Sequence, residues 1–230
     1  MALKLYLDLL SQPCRAVYIF AKKNGIPFEM RTVDFLKGQT MAKDFTDVSI
    51  LQRIPVLKDG DFVLSESVAI LIYLSTKYKT ADHWYPPELP IRARVHEYLG
   101  WHGDIIRGTF GVPLWVKVIA PISGLQIPEE KVEHNKVLMD KALQKLEDYF
   151  LGNKAFLASQ EPLAFGYDLF AGHKRLAAWR NRVENFLGAE LCREAHGPIL
   201  NIQQVASTTT IPPPPPEFYT YMRLRIAKIP

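Results

Sequence analysis

The hydrophobic period of this chain switches between two and 3.6 through residue 80 and does not return to two afterwards, which restricts its architecture more than any other feature. Leu3, Leu5 and Leu7 alternate with Lys4, Tyr6 and Asp8, as in a half-buried strand. Over Arg15–Lys23 the apolar positions Ala16, Val17, Ile19 and Phe20 take helical spacing, and Asn24-Gly25 followed by Pro27 stops that helix. Phe28–Asp34 reads as a second strand. Pro55–Lys58 and Asp61–Leu64 flank Lys58-Asp59-Gly60, a hairpin signal. Ser65-Glu66-Ser67 then starts a helix through Tyr78, with Ser65 as the expected N-cap.

Strand, helix, strand, short helical stretch, hairpin and helix is the order of the thioredoxin topology. Beyond the linker Trp84-Tyr85-Pro86-Pro87 only helical patterns remain. Ile91 to Ala120 reads as a long helix that Pro113 should kink. Pro128 suits a first helical turn, with Leu138, Ala142, Leu143, Leu146 and Phe150 forming an apolar stripe behind it. Leu176, Trp179, Val183, Phe186 and Leu187 mark another helix, and Phe218, Tyr221, Met222, Leu224, Arg225 and Ile226 a last one. The expected fold class is therefore an α/β thioredoxin-like N-terminal domain over 1–82 followed by an all-α domain over 88–230. From Gly152 to Lys174 no helical stripe can be drawn, and Pro162, Gly166 and Gly172 interrupt it. Loops longer than about 12–15 residues are uncommon inside compact domains.

Composition excludes several classes of function. Hydrophobic residues at 48% and charged residues at 23% match a soluble protein with a full core. A net charge of +4 with no basic block argues against a nucleic-acid partner. No apolar run reaches a membrane span: Val68–Leu74 is short, and Val112–Leu125 is broken by Pro113, Lys117 and Pro121. The strand-like N-terminus is unlike a signal peptide, and Cys14 and Cys192 cannot make a disulfide framework, so a cytosolic setting is expected.

Ser11-Gln12-Pro13-Cys14 has the spacing of a Cys-x-x-Cys redox motif with serine in the first position. Ser11 precedes a helix with Pro13 near its first position. A hydroxyl donor and a helix N-terminus both favour a thiolate over a thiol, so Ser11 can serve a thiol that belongs to a ligand, or it can simply cap the helix. Cys14 is either a redox nucleophile or a packed side chain. No metal is expected: His96-Glu97 and His102 lack zinc-protease spacing, and Cys192 and His196 lack further ligands. Pro212–Pro216 reads as a polyproline linker.

The stretches LDLLSQPCRAVYIFAKKNGIPFE, RTVDFLKGQ, IPVLKDGDFVLSESVAILIYLS, HWYPPEL, RARVHEYLGWHGDIIRGTFGVPLWV, IPEEKVE and LRIAKIP resemble cytosolic glutathione transferases of the theta class, nearest the theta-2 type. The resemblance implies a transferase that conjugates glutathione to hydrophobic electrophiles, with sulfate-ester cleavage and hydroperoxide reduction besides. It implies glutathione as cosubstrate with no tightly bound cofactor, a homodimer, and no nucleic-acid or membrane partner. Ser11 is then the catalytic residue. Arg53, Ile54, Glu66, Ser67, Asp104 and Arg107 would hold glutathione, with Ile54-Pro55 as a cis-proline turn. Arg107, Trp115 and Arg225 would form the pocket for a leaving sulfate.

Three departures accompany the resemblance. Thr40 stands where the family has histidine, and Gln52 must adopt a backbone turn that the family gives to glycine. After Ser159-Gln160 the family continues into a capping box that begins a central buried helix. Here Glu161-Pro162-Leu163-Ala164-Phe165-Gly166 follows instead, a shortfall of roughly 14 residues, or about 20 Å of helix. The alternative function is accordingly a non-catalytic glutathione-binding or dimerising variant.

Overall fold

The computed structural model describes residues 3–114, 116, 118, 120–122, 124–154, 172–202, 216–227 and 229. They form two compact units, one over 1–92 with 184–202, the other over 93–183 with 203–230.

In the first unit, β1 (Lys4–Leu7), α1 (Gln12–Lys23), β2 (Glu29–Thr32), α2 (Lys43–Thr46), β3 (Val56–Asp59), β4 (Phe62–Ser65) and α3 (Ser67–Tyr78) follow one another. The sheet order is β2-β1-β3-β4. β1 pairs parallel with β2, which requires the α1 crossover, and antiparallel with β3, which β4 continues as a hairpin. Strand alternation sends Leu5 and Leu7 into the core that α1 and α3 cover, where Val17, Ile70 and Leu74 are also fully enclosed. Tyr6, from an intervening position, meets Phe45 of α2 edge-on at 6.3 Å. Val33, Phe45 and Val56 form a second cluster against which Ile54 packs, and this cluster seats the loop ahead of β3.

Ser65 ends β4 and does not cap α3. The cap position falls to Glu66, at φ 70° and without a side-chain cap bond, because the hairpin register pairs Ser65 with Val56. The segment α8 (Ala189–Leu200) packs on α1 in this unit, where the Tyr18 hydroxyl donates to Glu194 and Lys22 lies 3.4 Å from the same carboxylate.

The second unit is helical. α4 (Leu89–Trp101), which starts just before the unit boundary, runs into a π-helical turn at His102–Ile106 and then into α5 (Arg107–Phe110). The helix thus leaves α geometry before Pro113, which lies in a short turn at Val112–Leu114. α6 (Glu129–Lys145), with Pro128 at its cap position, passes into another π-helical turn at Leu146–Leu151. α7 (Lys174–Leu187) buries Leu176, Trp179 and Val183. The last helix, α9, spans Pro216–Ala227. Among the described residues no helix is long and apolar enough to cross a membrane.

Candidate active site

Ser11 sits at the N-cap of α1 with extended backbone (φ −84°, ψ 123°), and its hydroxyl makes no cap bond to the helix. The hydroxyl is therefore not committed to capping. The main chain closes the turn instead: Ser11 N–H donates to Asp8 O at 2.9 Å, and Arg15 N–H to Ser11 O at 3.1 Å.

Two residues that the sequence did not single out fix this loop. The Asp8 carboxylate accepts the amides of Leu10 at 2.9 Å and Phe35 at 3.0 Å, tying the β1–α1 loop to the chain beyond β2. Burial nonetheless raises its carboxyl above the ordinary aspartate value. Arg15 is 1% exposed and donates Nη1 to the carbonyls of Leu9 at 2.9 Å and Leu10 at 3.1 Å. Such a buried cation must be held by acceptors. Its signal in the sequence is an arginine on the apolar face of an amphipathic helix, between Cys14 and Val17.

Cys14 is fully buried, and that burial pushes its thiol up to about 12, against weaker opposing contributions from the Ser11 hydroxyl and the Asp8 backbone. A thiol so seldom ionised is no redox nucleophile.

The Ile54–Pro55 bond is cis, and Gln52 takes φ 52°. Because Val56 pairs with Ser65, the residues before β3 and those after β4 lie at one end of the hairpin. Arg53 Nη1 is 3.9 Å from Glu66 Oε1 there, with both side chains half exposed or more. Ser67 is buried at the start of α3. Ser49 and Ser65 hydroxyls meet at 3.3 Å beneath. Four of the expected glutathione residues are thus gathered at this end: Arg53, Ile54, Glu66 and Ser67. Thr40 is buried in a short 3-10 turn, Gln39–Met41.

In the second unit Asp104 is exposed on the first π-helical turn, and the half-buried Arg107 follows it at the start of α5. Arg107 N–H donates to His102 O, the bond that defines the turn. Trp115 lies outside the described residues, as does the segment around 160–166. Arg225 lies on α9, but its side chain is outside the described set.

The family model "Glutathione S-transferase, N-terminal domain" matches residues 1–76. Human glutathione S-transferase theta-2B is 62% identical, with both chains fully covered. That alignment spans 244 positions, 14 more than the 230 residues present here. Two solved human structures are similar at 61% identity. One, glutathione transferase theta-2 in complex with glutathione and an unknown ligand, has a TM-score of 0.94 and covers 99% of this chain and 100% of that one. The other, a theta-class transferase in complex with the glutathione conjugate of 1-menaphthyl sulfate, has a TM-score of 0.95 with both chains fully covered. With a thioredoxin-like sheet, a cis-proline turn and full-length identity at this level, the chain belongs to the theta class of the glutathione S-transferase family, alongside its theta-2 members.

Proposed function

We propose that this enzyme transfers the thiolate of glutathione to hydrophobic electrophiles, with Ser11 as the group that stabilises the thiolate. The observation that carries this reading is the Ser11 hydroxyl at the N-terminus of α1, which makes no cap bond to the helix. A free thiol has a pKa of about 8.5, so little is ionised at neutral pH. A hydroxyl donor and the positive end of a helix both favour the anion. Ser11 acts as a donor, since its own proton is too tightly held for it to serve as a base. The buried Arg15 adds positive charge close by.

The rest of glutathione takes the hairpin end. The Ile54 main chain pairs with the cysteine unit as an added strand would. Arg53 meets a carboxylate, Glu66 accepts from the γ-glutamyl ammonium, and Ser67 with the first amides of α3 receives its carboxylate. Asp104 is a further glutathione-binding residue in this reading, carried by the resemblance alone. For electrophiles whose leaving group is sulfate, the chemistry of the conjugate in the similar human structure, Arg107 receives the anion, and the resemblance assigns Trp115 and Arg225 the same role. Ser11→Ala should cut turnover sharply while retention on immobilised glutathione persists. Unchanged turnover would sink the assignment.

The working form we propose is a cytosolic homodimer. Ile50 is 91% exposed, and Leu51, Phe62, Val63, Leu89 and Ile91 are apolar and exposed in the same unit, side chains that a partner subunit would cover. Sedimentation of the purified chain should give twice the monomer mass, and Ile50→Asp should shift it towards monomer. A wild-type monomer at micromolar concentration overturns this.

One observation favours a second reading, a glutathione-binding chain with a defective electrophile half: the 14 aligned positions that the relative fills and this chain does not. Glutathione retention without turnover of any electrophile would select it.

A further inference from the structure

Two π-helical turns of the second unit, His102–Ile106 and Leu146–Leu151, are joined by one aromatic cluster. Phe150 of the later turn lies 4.7 Å from Trp101 and 5.2 Å from Tyr98, and Tyr98 lies 5.7 Å from His102. A π-turn closes its hydrogen bond one residue later than an α-turn does, and such turns gather at functional sites. The extra residue rotates whatever follows the turn relative to whatever precedes it.

Both flanks of the first turn are held by other contacts. Before it, Tyr98 and Trp101 are fixed against Phe150. After it, Asn135 Nδ2 donates to Thr109 O at 3.0 Å, and Thr109 Oγ1 to Ile105 O at 2.9 Å. The extra residue therefore sets the orientation of what lies between, and that stretch ends at Arg107. The turn is not explained by polar satisfaction, since His102 Nδ1 is buried with no partner among the described residues. Burial, with a smaller contribution from the Arg107 charge, holds that imidazole down to about 4, so it is neutral and the guanidinium lies within its electrostatic reach.

We infer that the π-helical turn His102–Ile106 is a positioning element that sets Arg107 for an anionic leaving group, and so makes this enzyme selective for sulfate-type electrophiles. The inference rests on the anion-binding role proposed above for Arg107. Deleting Gly103, an exposed residue without a side chain, returns the segment to α-helical pitch while the flanks keep their phase. Gly103→Ala keeps the turn, since a Cβ there meets nothing within 4 Å.

The experiment measures kcat/KM for an arylmethyl sulfate and for cumene hydroperoxide, which releases a neutral alcohol, in four proteins: wild type, Arg107→Ala, Gly103→Ala and the Gly103 deletion. Arg107→Ala and the deletion should each lower the sulfate-to-hydroperoxide ratio by about 10–100-fold, the loss that follows from one charge-assisted hydrogen bond. The deletion should act through the KM of the sulfate, and Gly103→Ala should leave the ratio unchanged. If Arg107→Ala lowers the ratio and the deletion does not, the inference is wrong while the role of Arg107 stands. An unchanged ratio in Arg107→Ala, or a wild type that turns over neither substrate, removes the underlying reading and the inference with it. A deletion protein without a cooperative thermal transition also overturns the inference, because the healed helix should fold at least as well.

Discussion

At the scale of single residues, the region around Ser11 owes its character to two neighbours that hold shape and one that has lost reactivity. Asp8 and Arg15 fix the loop through main-chain amides and carbonyls, so Ser11 is presented without its hydroxyl being spent on capping the helix. Cys14 is removed from chemistry by burial alone. Gln52 is one of three described residues other than glycine, with Glu66 and Lys79, that take a positive φ. At φ 52° a residue with a Cβ is disfavoured by about 1 kcal/mol relative to glycine. Gln52→Gly should relieve that strain, partly offset by the greater freedom glycine gains when unfolded. A rise of about 1–3 °C in the melting temperature is expected, read by calorimetry, with glutathione retention unchanged. A fall would mean that the glutamine side chain contributes more than its backbone costs. The left-handed turn at this position was legible in the sequence through the glycine that the family keeps there. Asp8 and Arg15 were not, because a bracing role depends on main-chain groups that no side-chain pattern displays.

At the scale of elements, the helices and strands announced by hydrophobic period are present, and the misjudged details have local physical causes. Ser65 has the chemistry of an N-cap, but the hairpin ladder claims it first. The π-helical turns escape a reading by period, since one extra residue in a helix resembles ordinary drift of the apolar stripe. The cap of α7 escapes for another reason: it comes from far away in sequence. Glu147 Oε1 accepts the Arg175 amide at 2.8 Å, while Oε2 lies 3.0 Å from His173 Nδ1. Burial pushes the Glu147 carboxyl up, but His173 and the amides of Arg175 and Leu176 outweigh it and leave it below the ordinary glutamate value of 4.5. A carboxylate lowered on folding contributes stability that is present above its unfolded value and is lost as the pH falls through its folded one. The melting temperature of wild type should therefore drop more steeply below pH 4.5 than that of Glu147→Gln. At neutral pH, Glu147→Ala should cost about 1–3 kcal/mol, from a lost cap and a buried histidine without its acceptor. Parallel pH profiles in wild type and Glu147→Gln would show that the cap does not titrate in this range.

At the scale of the whole molecule, the question is how a family fold tolerates a chain 14 positions shorter than its relative. β1 to α3, with α8 packed on α1, lie in the first unit, which also carries Arg53, Ile54, Glu66 and Ser67, the residues proposed for glutathione. In the second unit Asn135 Oδ1 and Trp179 Nε1 are buried with no partner among the described residues. Losing buried apolar side chains costs about 2–5 kcal/mol for each large-to-small change, against a total stability of about 5–15 kcal/mol. On the reading that the missing positions follow Gln160, that cost falls on the second unit. Placing the 14-residue segment of the theta-2 relative after Gln160 should raise the melting temperature and increase turnover of an arylmethyl sulfate. Glutathione retention should be equal in the two proteins, because its residues at the hairpin end do not depend on the added segment. If the natural chain unfolds cooperatively at the same temperature as the lengthened one, the shortfall is harmless and the second unit has closed around it by other contacts. Equal melting with higher turnover in the lengthened protein would place the deficit in the shape of the electrophile pocket and not in folding.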